Sequence, residues 1–161
     1  MDIEVRKYVQ SDVPAMARIW NSVVERGMAF PQEDVLSVSE AEGFFGSQTY
    51  CGVAVVDGTV AGLYILHPNN VGRCGHISNA SYAVDPTMAG KGIGSALVDD
   101  SMRVASEEGF RIMQFNAVVQ DNASAIHIYE KKGFHRLGMI PGGFRDKNGE
   151  YRTILLFYHE L

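Results

Sequence analysis

The stretch VDPTMAGKGIGSALVDD, Val84 to Asp100, decides how this chain is read. It follows a strand-like run, HISNASYAV (His76–Val84), and passes through Gly90, Gly92 and Gly94 into a helix-like run ending near Glu108. A helix start exposes unpaired backbone N–H groups and the positive end of the helix dipole. Glycines there let an anion approach the backbone closely. The turn therefore reads as a cradle for a phosphate or pyrophosphate, with a tight β–α corner as the plainer alternative. Two common phosphate motifs fail here. The P-loop GxxxxGK[ST] fails because Lys91 is followed by Gly92, and the dinucleotide pattern GxGxxG finds Ser95 or Leu97 where its third glycine belongs.

Outward from this turn the pattern alternates between strand and helix. Upstream, Ile3–Tyr8 reads as a strand. Ser11 or Asp12 is expected to cap a helix with Pro14 in its first turn and an apolar face of Met16, Ile19, Trp20, Val23 and Val24, ended by Gly27. MAFPQEDVLS reads as a loop and Ser39–Phe45 as a short helix. Two β-rich runs flank Asp57-Gly58, a hairpin turn, and HPNNVGRC is a loop. Downstream, Met113–Val119 is a strand and Asn122–Lys132 a helix stopped by Gly133. His135–Pro141 and Tyr151–His159 are the last strands, around Asn148-Gly149. The order β-α-α-β-β-β-α-β-α-β-β predicts one α/β (α+β) domain over 1–161, with a mixed sheet and helices on both faces.

The whole chain bounds the function class. It has 161 residues, 46% hydrophobic and 20% charged, the profile of a globular domain. A net charge of −5 with no basic block argues against a nucleic-acid partner. No apolar run approaches the ~20 residues of a membrane span, and MDIEVRKYVQ does not read as a signal peptide. Cys51 and Cys74 sit in unrelated contexts, the pattern of reduced thiols in a cytoplasmic protein, and no metal-ligand spacing is present.

A second stretch, DNASAIHIYEKKGF (Asp121–Phe134), carries Asn122 and Tyr129 seven residues apart on a helix, close to two turns and nearly one face. Each has a plainer role available, Asn122 as an N-cap and Tyr129 as a core tyrosine. The pattern N-x-x-A-x-x-x-Y-x-x-x-G-F on Asn122, Ala125, Tyr129, Gly133 and Phe134 resembles the second motif of the GNAT superfamily of N-acetyltransferases. The glycine turn resembles that superfamily's coenzyme A loop, [Q/R]-x-x-G-x-[G/A], on Ala89, Gly90, Lys91, Gly92, Ile93 and Gly94, with Ala89 departing from the usual Gln or Arg. The two motifs stand in the family's order and spacing.

The resemblance implies a mostly antiparallel mixed sheet, splayed between strands 4 and 5 and flanked by about four helices. It implies acetyl-CoA as donor, with no metal. Its pantetheine would lie along Tyr82, Ala83 and Val84, its pyrophosphate on the N–H groups from Gly90 to Ser95, and Asn122 would bond the pantetheine arm. Tyr129 would lie near the sulfur and donate to the leaving thiolate. Tyr129 is the catalytic candidate, and the amine loses its proton either through a water relay that includes Asn79 or by arriving with a lowered pKa. Many family members carry a Glu in the fourth strand, and HISNASYAV has no acid. His76 and His127 are weaker base candidates.

HPNNVGRCGHISNASYAV, MQFNAVV and GGFRDKNGEYRTILLFY are similar to segments of the azetidine-2-carboxylate and proline-analogue acetyltransferases. That subgroup implies a small imino or amino acid held by Asn79 and Asn116, with Phe30, Arg73, Phe144 and Arg145 in loops around it. A binding module that senses acyl-CoA without turnover, and a peptide or protein acetyltransferase, are the alternatives. A homodimer is left open by the sequence.

Overall fold

The computed structural model describes residues 1–161. Its element order is the expected one: β1 (Ile3–Lys7), α1 (Val13–Arg26), α2 (Val38–Gly46), β2 (Tyr50–Val56), β3 (Thr59–Pro68), β4 (Ile77–Val84), α3 (Ile93–Glu107), β5 (Ile112–Val119), α4 (Ala123–Lys131), β6 (His135–Arg145) and β7 (Tyr151–Glu160). The seven strands form one sheet in the order β1-β2-β3-β4-β5-β7-β6. Every neighbouring pair is antiparallel except β4 and β5.

Two cores lie on opposite faces of the sheet. On one face α1 and α2 bury Met16, Ile19, Trp20 and Phe45 against Val53, Leu63 and Ile65. On the other, α3 buries Ile93, Leu97, Val98 and Val104 against Tyr64, Leu66, Met113 and Phe157. Alternate strand residues supply the two layers, because successive side chains point to opposite faces.

Local chemistry explains the boundaries. Ser37 caps α2, accepting from the Glu40 N–H (3.1 Å), while the Glu40 carboxylate accepts from the Ser37 N–H (3.0 Å). Asp57 and Gly58 both have positive φ, as a two-residue hairpin requires. The expected cap of α1 is not made. Asp12 stands at the helix start, but its carboxylate turns back to the Val9 N–H (2.8 Å) and to Arg6 (2.8 and 3.1 Å).

The sixth strand does not stop at Pro141. It runs on to Arg145 through register shifts between Arg136 and Gly138 and between Ile140 and Phe144. Pro141 is tolerated because β6 is an edge strand. A side chain at Gly143 would place its Cβ 2.6 Å from Ile154, so the bulge needs glycine there. Phe144 and Arg145 are consequently strand residues rather than loop residues.

The β4–β5 pair positions the site. Only two residue pairs connect these strands, Ile77 with Ile112 and Ser78 with Met113, after which they part. Beyond Ser78 the sheet is split open.

Candidate active site

The split is lined, not empty of structure. A cavity of about 230 Å³ passes through it, walled by Ala80, Ser81, Tyr82 and Val84 of β4, Phe115, Ala117, Val118 and Val119 of β5, Gly94 and Val98 of α3, and Asn122, Ala125, Ile128 and Tyr129 of α4. Ala29 and Phe30, beyond the end of α1, close its far side. Its walls thus come from both layers.

The strand edge facing this gap is polar backbone. On the β3 side of β4, the Ile77 carbonyl accepts from Asn69 and the Asp85 N–H donates to Ala61. On the β5 side, the His76 carbonyl accepts from Arg111. Backbone groups alternate along a strand, so those of Ala80, Tyr82 and Val84 face the split, where β5 no longer pairs with them.

The glycine turn sits at the α3 end of the cavity. Gly90 and Gly92 have φ of +76° and +83°, a conformation that favours glycine, and an added Cβ at either meets nothing within 4 Å. Their role is to bend the chain. Gly94 differs: it is helical, it walls the cavity, and a Cβ there would lie 3.4 Å from Ile128. The first intrahelical bond runs from Ala96 to Gly92 (3.1 Å), leaving the N–H groups of Ile93, Gly94 and Ser95 without a partner inside the helix. Ile93 turns its side chain into the core, so only its backbone is offered. Ala89, Lys91 and Gly92 are exposed and lie outside the cavity wall.

On α4, Asn122 is the N-cap. Its Oδ1 accepts from the Ala125 N–H (3.3 Å) and the Ser124 hydroxyl (3.2 Å), which leaves the Nδ2 donors for another partner. Tyr129 is packed among Phe115, Phe134 and Phe157, with ring centroids at 4.4, 5.8 and 5.9 Å. Burial raises its phenol above the ordinary value. Tyr82 is raised too, mainly by burial and then by the neighbouring Tyr129. The Tyr82 hydroxyl is already engaged, 2.7 Å from Ser101 and 3.5 Å from the Met113 sulfur. Tyr129 is therefore the cavity phenol left available to a ligand. Ala83 faces away, buried in the α1–α2 core.

Asn79 and Asn116 do not wall the cavity; each stands beside it, next to Ala80 and Ser81 or between Phe115 and Ala117. They meet through a third residue that the sequence reading did not single out. The Asn79 Nδ2 donates to Asn69 Oδ1 at 3.2 Å, and the Asn116 Nδ2 donates to the same oxygen at 2.6 Å. Asn69 was hidden because nothing in HPNNVGRC signals which loop residue reaches across β4.

A second crevice, about 440 Å³, adjoins the cavity at Phe30, which lines both. Glu33, Phe144, Arg145, Asp146 and Lys147 form its walls. Phe30 stacks on Trp20 at 4.2 Å, and Phe144 packs with Val119 and Ile154. Glu33 and Arg145 pair across it at 2.6 Å. Arg73 lies elsewhere, on the exposed turn Gly72–Cys74, outside both cavities.

An apolar channel through a split sheet, an unpaired strand edge along it and free helix N–H groups at one end suit a thioester donor on a pantetheine arm ending in a pyrophosphate. Residues 16–134 match the family model described as the acetyltransferase (GNAT) family. The chain is 30% identical over 149 residues to the N-acetyltransferase aca1 of Schizosaccharomyces pombe, covering 81% of this chain and 70% of that protein. It is 30% identical over 100 residues to the L-amino acid N-acetyltransferase AaaT of Escherichia coli, covering 62% and 60%. A phosphinothricin acetyltransferase of Sinorhizobium meliloti, solved with acetyl-CoA, shares the fold at a TM-score of 0.92 and 23% identity, covering 100% of this chain and 89% of that one. The chain belongs to the acetyltransferase (GNAT) family and is an N-acetyltransferase that takes its acetyl group from acetyl-CoA.

Proposed function

We propose that the protein acetylates the amine of a small amino or imino acid by direct attack on the thioester, in the split between β4 and β5. The observation that carries this reading is the cavity that crosses the sheet from Gly94, Asn122 and Tyr129 to Phe30. It offers the donor one face and the acceptor the other. Similarity to an L-amino acid N-acetyltransferase supports the acceptor class. The azetidine-2-carboxylate subgroup supplies the finer expectation of a proline analogue.

The residues divide accordingly. The N–H groups of Ile93, Gly94 and Ser95 hold the pyrophosphate at the positive end of α3. Asn122 gives Nδ2 to the pantetheine arm while its Oδ1 keeps the helix capped. The gap-side N–H groups of β4 stabilise charge on the thioester oxygen. Tyr129 donates a hydrogen bond to the departing sulfur. Its raised pKa widens the gap of roughly 2 kcal/mol between a free phenol and a free thiol. Complete proton transfer is thus disfavoured until the sulfur is desolvated in the same apolar cavity, which raises the thiol in turn. The phenol acts first as a hydrogen-bond donor.

The acceptor approaches through the crevice at Phe30 and Phe144, where its carboxylate displaces that of Glu33 from the Arg145 guanidinium. Asn79 and Asn116 receive its nitrogen beside the acetyl group. No acidic side chain walls the cavity, so the amine loses its proton to water. The test is thiol release from acetyl-CoA with proline analogues, amino acids, polyamines, aminoglycosides and short peptides. Turnover confined to amino or imino acids supports the reading. Preference for peptides selects protein acetylation, and binding of acetyl-CoA without turnover of any amine selects the sensor.

A further inference from the structure

We infer that Asn69 is a positioning residue that sets the polarity of the acceptor side of the split. The inference rests on the acceptor meeting Asn79 and Asn116, as proposed above.

Where β4 and β5 part, their backbones no longer hold one another. Side chains take over on the face of Asn79 and Asn116. Asn69, just past the end of β3, is fixed by its own N–H, which donates to the Ile77 carbonyl at 2.8 Å. Its Oδ1 then accepts one N–H from β4, through Asn79, and one from β5, through Asn116. One oxygen therefore staples the two diverging strands.

The direction of these bonds has a chemical consequence. Gln114 Nε2 donates to Asn116 Oδ1 at 3.0 Å, so the amides run from Gln114 to Asn116 to Asn69, and from Asn79 to Asn69. Both amide groups turn an N–H inward. Asn116 Oδ1 is thereby occupied, so among the two amides the carbonyl oxygen of Asn79 is the acceptor left to a ligand, beside the second N–H of each. A neutral oxygen accepts an N–H from an amine and repels a carboxylate or carbonyl. Asn69 thereby orients the acceptor nitrogen toward the acetyl group and its acid end toward Arg145. Asn69 itself lies outside the walls of the cavity and of the adjoining crevice.

The polarity makes a distinguishing variant available. An aspartate carboxylate accepts the same two N–H groups, whereas alanine accepts none. With an amine that the panel above shows to be acetylated, Asn69→Ala should raise the acceptor KM about tenfold, the equivalent of one lost hydrogen bond. The KM for acetyl-CoA should stay within about twofold, since its residues lie on the other face. Asn69→Asp should restore the acceptor KM to near the wild-type value. In 15N-correlated NMR spectra, the bonded side-chain N–H signals of Asn79 and Asn116 should move upfield in Asn69→Ala and stay at or downfield of their wild-type positions in Asn69→Asp. This second readout needs no acceptor, so it separates failure of the staple from failure of the amino-acid reading. An unchanged acceptor KM in Asn69→Ala, an equal rise in both KM values, an Asn69→Asp variant as impaired as Asn69→Ala, or unmoved amide signals would each overturn the inference.

Discussion

The ring of Tyr129 on α4 stands 4.4 Å from that of Phe115 on β5, and this contact fixes the phenol against the wall of the split. Phe115 in turn stacks on Phe134 at 4.7 Å. The phenol is held by packing, with no hydroxyl tether of the kind that Ser101 makes to Tyr82.

Tyr129→Phe keeps that packing and removes only the hydroxyl. Turnover should fall on the order of 10²-fold with the acetyl-CoA KM nearly unchanged, in steady-state kinetics. Burial raises the wild-type phenol, so its loss of a proton should cause no fall in kcat below about pH 10. A kcat that titrates away between pH 8 and pH 9 in the wild type, and not in Tyr129→Phe, would contradict this.

Asn122 caps α4 through Oδ1 and, in the proposed reading, serves the pantetheine arm through Nδ2. Asn122→Ala should cost about 1 kcal/mol of stability through the lost cap. Asn122→Asp keeps an oxygen for the Ala125 N–H and loses the Nδ2 donor. It should therefore retain the wild-type Tm while binding acetyl-CoA several-fold more weakly, as read by calorimetry.

Gly92→Ala forces a side chain into φ +83° and should cost roughly 1–2 kcal/mol in denaturant unfolding. Gly94→Ala meets an ordinary contact distance to Ile128 and should leave stability nearly intact. If the backbone at Gly94 receives the pyrophosphate, Gly94→Ala should still weaken acetyl-CoA binding, because its Cβ stands at the cavity wall.

The two cysteines should separate by reactivity. Both are free, Cys51 buried and Cys74 exposed. Burial pushes the Cys51 thiol up to about 12, so at pH 8 it is neutral as well as covered. Titration with a thiol reagent should label one cysteine rapidly in the folded protein and two after denaturation. Rapid labelling of both would disprove the packing of β2 against α2.

Asp12 should contribute acid sensitivity. The Arg6 guanidinium, and then the Val9 N–H, hold its carboxyl below the ordinary range against the cost of burial. The folded state thus gains stability that is complete above the ordinary Asp pKa, about 3.9, and is lost as pH falls through the lower folded value. Asp12→Asn should lower stability at pH 7 and flatten its decline between about pH 5 and pH 2, in urea titrations at each pH. An unchanged slope would show that Asp12 titrates alike in both states.

Much of the fold was legible because its signals are local. The α1 face of Met16, Ile19, Trp20 and Val24 repeats at helical spacing and is buried as a stripe. Asp57-Gly58 names its own turn. Where the structure departs from local preference, a partner outside the element prevails. Asp12 found Arg6 and Val9 instead of its own helix. Pro141 reads as a stop, yet β7 supplied a ladder that carried β6 past it to Arg145.

The candidate site divides along the same line. The sequence by itself determined the strand, the glycine turn and the Asn-capped helix with its tyrosine, because each needs only neighbours a few residues away. The parting of β4 and β5 was expected from the family resemblance alone, and the tertiary structure decided its extent, two residue pairs before the strands diverge, since divergence depends on what packs on both faces. The structure also brought Phe30 to the cavity from the α1 layer, withdrew Arg73 from it, and set Asn69 between Asn79 and Asn116. The two bonds to Asn69 span ten and 47 residues of the chain, and a hydrogen bond between side chains so separated leaves no periodicity for a sequence to display.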